Sequence, residues 1–369
     1  MVELPVRTQD VTTDFVTAAL REGGVIGNDS AVAEVEHEQI GVGVGIVGQL
    51  ARLSLRYEGN APGAPGSVIL KMPSEHPENR QVADHFNFYE REGRFYEQVC
   101  DKLSVRTARC YWNHIDVEAQ TFALLLEDLG HRTMISQVTG VGAARASQAL
   151  AALGELHGAW WSSPALDSLT WMPRLDDPIN LAAGEQYRQA WPVFVERAGE
   201  LLPEGALALG ERIGPVFEDL MRAGVAEAPM TVCHGDYRVD NLLFDDHAPG
   251  MDRVAVLDWQ ISYRGPAVSD VAYLLCQSMT VEDRRAAEEQ LLRDWYLAVA
   301  AGAGRDLDEY PFDLAWTHYR RSTLGATVYP VTAVGAMDAA NERGQELVNA
   351  MAVRSFSAAL DLDAGELLP

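Results

Sequence analysis

The stretch His234-Gly-Asp236-Tyr-Arg-Val-Asp-Asn241-Leu-Leu-Phe244, closed by Leu257-Asp258-Trp259-Gln260, decides how this 369-residue chain is read. Two short apolar runs, Leu242–Phe244 and Val254–Leu257, flank a turn-rich segment at 245–252 and predict a hairpin. Asn241 follows Asp236 by five residues, and Asp258 follows Asn241 by seventeen. A loop with that spacing can aim a carboxylate one way and an amide oxygen another, while the returning strand ends on a second carboxylate. Three hard oxygen donors then converge without caging an ion, which suits a Mg²⁺ that keeps water and phosphate ligands. Phosphoryl transfer needs the same parts: a carboxylate to orient and deprotonate the attacking hydroxyl, and oxygen ligands for the metal. Either acid alone reads as an ordinary turn or strand-end residue. The pair, with this spacing, hairpin and glycine, points to chemistry.

Working outward towards the N-terminus, residues 11–22 read as a helix capped by Thr12 or Thr13 and ended by Gly23-Gly24. Leu53, Leu55 and Tyr57 alternate with Arg52, Ser54 and Arg56, the two-residue period of a half-buried strand. Before them lies Gly41-Val-Gly43-Val-Gly45-Ile-Val-Gly48. A dinucleotide fold would place a helix directly after such glycines. A strand follows here instead, so Gly43, Gly45 and Gly48 read as a phosphate-covering loop or, more plainly, a flexible hairpin turn. The next strand carries Lys71 within Ser67-Val-Ile-Leu-Lys71-Met. Lys71 and Lys102 are the only lysines; the other 27 of 29 basic residues are arginines. A compact ammonium kept in an apolar strand suits phosphate anchoring as a point charge. Buried, it needs a carboxylate partner, and the helix expected over 78–100 offers Glu90, Glu92 and Glu97.

The hairpin stretch resembles the catalytic loop and metal motif of the aminoglycoside phosphotransferase and choline kinase superfamily, where H-G-D stands in place of the H-R-D of protein kinases. The resemblance implies Asp236 as catalytic base, Asn241 and Asp258 as metal ligands, and Lys71 as the anchor of the α- and β-phosphates. Glu92-x-x-Phe95-Tyr96 resembles the family's E-x-x-F-Y and selects Glu92 as the partner of Lys71. Leu124-Leu-Leu-Glu127-Asp128-Leu129 resembles the hinge, whose backbone at Glu127–Leu129 would face the adenine edge. Gly265-Pro266 to Leu275 resembles G-x-P-x-x-D-L-A, so Asp270 reads as a brace of the catalytic loop. His157, in L-x-x-L-H, reads as a packed core histidine, and His234 as a residue that shapes the loop. The glycine hairpin, E-x-x-F-Y and Asp258-Trp259-Gln260 lean towards the ecdysteroid-kinase-like branch. Trp259-Gln260 replaces the F-G of protein kinases, and the short run from Asp258 to Asp270 leaves little room for an activation segment.

The rest of the chain carries helix-length apolar periodicity at 143–161, 183–202, 206–223, 281–301 and 337–360. The expected fold is α+β and bilobal, protein-kinase-like: an N-terminal five-stranded antiparallel sheet with a helix (1–128), then a mostly helical lobe holding the hairpin (129–369). The expected function is ATP- and Mg²⁺-dependent transfer of the γ-phosphate to a hydroxyl of a small molecule. The alternative is a nucleotide-binding pseudokinase or regulatory module. Trp295, Trp316, His318, Tyr319, Arg320 and Arg321 are candidates for the acceptor pocket, and most other tryptophans read as core. The formal charge of −25 opposes nucleic-acid binding. It would suit a cationic substrate or simply mark a solvated acidic surface, whereas the basic-aromatic stretch Trp316–Arg321 leans to a neutral or anionic acceptor. No apolar run reaches the ~20 residues of a membrane span. No secretory leader is expected, and the scattered Cys100, Cys110, Cys233 and Cys276 show no metal or disulfide spacing. A cytoplasmic setting fits.

Overall fold

The computed structural model describes residues 4–41, 48–119, 121–336 and 342–369. The chain forms two compact units, Met1–Lys102 with Thr107–Arg132, and Leu103–Arg106 with Thr133–Pro369.

The first unit holds α1 (Thr13–Glu22), β1 (Ala31–Ile40), β2 (Gly48–Glu58), β3 (Ser67–Pro73), α2 (Pro77–His85), α3 (Phe88–Gln98), β5 (Cys110–Asp116) and β6 (Thr121–Glu127); the two-residue β4 (Arg106–Thr107) falls where the units divide, Arg106 in the second and Thr107 in the first. Thr12 caps α1 by accepting a hydrogen bond from the Phe15 N–H at 3.1 Å. β1, β2, β3, β6 and β5 form an antiparallel five-stranded sheet in that order. Alternation sorts its residues. Ala51, Leu53, Val68, Leu70 and Met72 join Val16 and Leu20 of α1 in one core, which leaves Lys71 on the opposite, α3 side of its strand. The single helix expected over 78–100 is broken: Asn87 sits at φ 55° between α2 and α3. Asparagine is among the few residues that enter the left-handed region readily, so the break costs little. Gly43 and Gly45 lie outside the described residues, and Gly48 opens β2.

In the second unit, β7 (Thr133–Met134), α4 (Ala143–Ala159), α5 (Pro178–Ala198) and α6 (Ala206–Glu227) lead to β8 (Met230–Cys233). The hairpin follows as β9 (Leu242–Phe244) and β10 (Val254–Val256), paired Phe244 to Val254, Leu243 to Ala255 and Leu242 to Val256. β11 (Tyr263–Pro266) then pairs with β8, an element that periodicity does not announce. Among the described residues, five α-helices follow: α7 (Val268–Ser278), α8 (Val281–Ala303), α9 (Phe312–Ala326), α10 (Val328–Ala336) and α11 (Glu342–Asp361). α4 and α8 meet along a seam of small residues. A Cβ on Gly158 would lie 2.7 Å from the Gly302 Cα, and one on Gly154 would lie 2.4 Å from the Ala298 Cβ. Among the described residues no helix is long and apolar enough to cross a membrane.

Candidate active site

Asp236 lies in irregular backbone between β8 and β9, and the turn before it depends on glycine. Gly235 adopts φ +85°, and a Cβ there would stand 2.5 Å from the Ile261 carbonyl oxygen. Any side chain would be strained and blocked at once. The loop is then held by Asp270 of α7, which accepts from the His234 N–H at 2.7 Å and the Gly235 N–H at 2.9 Å. His157 Nε2 sits 3.2 Å from the same carboxylate, while its Nδ1 accepts from the Trp295 indole N–H at 3.1 Å. That acceptance fixes the tautomer: the proton is on Nε2 and points to Asp270. His234 is fixed likewise, its Nδ1 accepting from the Asp236 N–H (3.2 Å) and its Nε2–H donating to the Leu257 carbonyl (2.8 Å). Asp270 is thus a brace, as expected, and His157 and His234 are structural. His157, Cys233 and Asp270 also lie within 4.8 Å of one another. Both imidazole nitrogens are already committed and burial pushes the Cys233 thiol well up, so this is no metal centre. Asp270→Ala would strip three buried donors of their anion. We expect a loss of about 3–5 kcal/mol of stability, read by chemical denaturation.

The oxygen donors come together as the hairpin dictates. The Asn241 side-chain amide N–H donates to the Asp236 carbonyl at 2.9 Å and to its Oδ2 at 2.8 Å. With its nitrogen committed, Asn241 presents Oδ1 as the remaining hard ligand. The Leu257 N–H donates to the Asn241 carbonyl at 3.0 Å, so the residue after Leu257, Asp258, returns beside Asn241. Asp258 adopts φ +66°, and its Oδ2 accepts from the Gln260 amide at 3.3 Å. A carboxylate, an amide oxygen and a second carboxylate are a donor set that fits Mg²⁺.

Three further residues, passed over in the sequence, surround Asp236. Arg238 donates through Nε to both carboxylate oxygens, at 3.0 and 3.1 Å. The Tyr273 phenol is pushed well up in pKa by burial first and then by the Asp236 charge. The Tyr329 hydroxyl donates to the Gly235 carbonyl at 3.3 Å and its ring meets Tyr273 edge-on at 4.2 Å. Arg238, two residues past Asp236, carried a signal in its position; the tyrosines, on α7 and α10, carried none.

In the first unit Lys71 Nζ lies 2.6 Å from Glu92 Oε2, and both side chains are buried. Glu90 pairs instead with Arg94. Glu127 turns its carboxylate to the Arg109 N–H at 3.1 Å, and its own N–H donates to the Arg109 carbonyl at 2.8 Å. Asp128 is locked by Arg52 and Ser67, both at 2.8 Å, and by the Gly130 N–H at 2.9 Å. The hinge carboxylates are therefore structural. The Leu129 carbonyl accepts from the Arg132 N–H.

The late aromatic and basic residues do not form a pocket. Trp295 is fully buried on His157. His318 bonds Tyr310, Tyr319 bonds Glu288, Arg320 donates to the Leu362 carbonyl and Arg321 pairs with Glu227. Only Trp316 lacks such a tie, and it packs on Tyr319. These groups knit α8, α9 and the C-terminal segment together.

An uncharacterized kinase-like protein of Caenorhabditis elegans is 31% identical over 68 residues, 18% of each chain. The matched stretches span under a fifth of the length of the curated relatives. Choline kinase from Cryptosporidium parvum superposes with a TM-score of 0.61 at 12% identity, covering 97% of this chain and 98% of that one. Aminoglycoside 2′-phosphotransferase-IIIa, in its GDP complex, gives 0.53 at 14% identity, covering 93% and 99%. Such identities establish a shared kinase-like fold and no more. The ecdysteroid kinase-like family model matches residues 43–303, most of the chain. The chain belongs to the ecdysteroid kinase-like family.

Proposed function

We propose that this chain is an ATP- and Mg²⁺-dependent kinase that phosphorylates a hydroxyl of a small molecule. The observation that carries the reading is the linkage of Asp236, Asn241 and Asp258 through the Asn241 amide and the β9–β10 register. Asn241 and Asp258 would hold the metal, which supplies charge neutralisation on the phosphate oxygens. Asp236 would orient the acceptor hydroxyl and take its proton. Lys71, set by Glu92, would grip the α- and β-phosphates; Gly43, Gly45 and Gly48 would cover them, and backbone groups at Glu127–Leu129 would meet the base. The similar structures include a choline kinase and an aminoglycoside phosphotransferase seen with GDP, so an alcohol acceptor and a purine nucleotide are the natural candidates. Arg320 and Arg321 are engaged by the Leu362 carbonyl and Glu227, which withdraws their support for an anionic acceptor. Four free cysteines support a reducing, cytoplasmic setting.

The test is a coupled ADP-release screen of hydroxylated metabolites, amino alcohols, steroids and aminoglycosides, with a catalytically dead variant as the zero. An acceptor that raises ADP release and appears phosphorylated by mass spectrometry supports the proposal. Tight Mg·ATP binding with no acceptor across the library would favour a nucleotide-binding regulatory module. Lys71→Met should weaken binding of Mg·AMPPNP by about 10–100-fold in calorimetry, because a desolvated charge-to-phosphate contact is lost. Pairing it with Glu92→Gln separates that effect from the cost of leaving a buried carboxylate alone.

A further inference from the structure

The proposed reaction requires one carboxylate oxygen of Asp236 to meet one acceptor hydroxyl, yet Asp236 stands on a loop that regular secondary structure does not stiffen. We propose that Arg238 is the positioning residue that aims Asp236, and that α11 sets the pose of Arg238 through Gln137. The inference rests on the kinase reading above and names a part of the machinery that reading does not contain.

The contacts form a continuous chain. Arg238 Nε bridges both Asp236 oxygens. Its Nη1 donates to Gln137 Oε1 at 2.9 Å and Asp240 Oδ2 at 3.1 Å. Asp240 is held in turn, since its Oδ1 accepts from the Gln137 N–H at 2.8 Å. Gln137 is fully buried, and its carbonyl accepts from Arg354 Nη1 of α11 at 2.6 Å. Arg354 is anchored by two further carbonyls, Gln277 at 3.1 Å and Val138 at 2.9 Å. A guanidinium is planar, so fixing Nη1 on two acceptors also fixes the direction of Nε–H. The carboxylate that this N–H bridges can rotate only by breaking a charge-assisted bond. Asn241 reaches Oδ2 alone, whereas Arg238 holds both oxygens. Burial opposes the Arg238 charge, and Asp236 and Asp240 more than offset it, so the group stays cationic. A lysine could carry the charge but not the fork.

The experiment compares full-length wild type with Arg238→Met, Arg238→Lys and Gln137→Met. ADP release from Mg·ATP, with water as acceptor, gives kcat and KM, and calorimetry gives the affinity for Mg·AMPPNP. Arg238→Met should lower kcat by about 100-fold, the cost of misplacing a reacting group by roughly an ångström, with KM and nucleotide affinity within about threefold. Arg238→Lys should recover about 5–10-fold of that loss by restoring the charge. Gln137→Met, which removes one Nη1 acceptor and leaves the Arg238–Asp236 pair, should cost about 5–10-fold in kcat alone. Crystal structures of wild type and Arg238→Met supply a readout independent of turnover: the Asp236 carboxylate should be displaced or split between rotamers in the variant. Unchanged kcat in Arg238→Met, a loss of kcat matched by lost nucleotide affinity, or an unmoved Asp236 carboxylate would each overturn the proposal. Failure of the kinase reading shows itself separately, as no Mg·AMPPNP binding by wild type.

Discussion

Asp236→Asn is expected to cut phosphoryl transfer by about 10³-fold while leaving Mg·AMPPNP affinity within about threefold. The substitution preserves shape, so the loop should remain folded on its Asp270 brace and the Gly235 turn. What disappears is the anion. An amide oxygen can still accept a hydrogen bond from an alcohol, but it cannot take the proton as the new P–O bond forms. Arg238 and the Asn241 amide, which both donate to the carboxylate, would then face a neutral group or its N–H₂. Coupled ADP release and calorimetry separate the two quantities. If nucleotide affinity falls in step with rate, Asp236 holds the metal–nucleotide complex, and the division of labour among the three oxygen donors has to be redrawn.

Asp258 should give an equally large loss with a different signature. Asp258→Asn should lower the rate by about 10³-fold and shift the MgCl₂ titration to higher concentration, because a charged hard ligand becomes a weak neutral one. Its melting temperature should stay near wild type, since asparagine tolerates φ +66° about as well as aspartate. Asp258→Gly should be just as inactive yet equally or more stable, as glycine removes a left-handed penalty of about 1–2 kcal/mol in a residue with a Cβ. Calorimetric melting beside the Mg²⁺ titration checks both variants. A glycine variant that melts well below wild type would mean that Asp258 is kept for the fold and not for metal.

The parts of this architecture that could be read from residues alone are those whose signal is local. The β9–β10 hairpin lies in two apolar runs and one turn. The apolar strand around Lys71 was legible, as was its need for a carboxylate, and the E-x-x-F-Y resemblance chose Glu92 over Glu90, as the 2.6 Å contact shows. The misses are non-local. β8 pairs with β11 across the whole hairpin, with only four residues on each side, too few to display a period. The α2–α3 break rests on the backbone angle of Asn87, which no apolar pattern encodes. The Trp316–Arg321 stretch has the chemistry of a pocket, but its partners (Glu288, Leu362 and Glu227) come from other segments, and they occupy its polar groups. Arg238 was visible as a residue and not as a contact, because Gln137 and Arg354, which orient it, lie 101 and 116 positions away.

The glycine and alanine seam between α4 and α8 reaches the catalytic loop by a short mechanical route. Because the two backbones touch, the indole of α8 arrives within bonding range of the imidazole of α4, and that imidazole steadies the anion beneath the loop. A single methyl group added at Gly158 would wedge the helices apart by a distance comparable to a hydrogen bond's tolerance. The spacing of two remote helices thus acts as a gauge for the reacting carboxylate, and laboratory evolution of acceptor scope should find this seam far less forgiving than the helix faces turned to solvent.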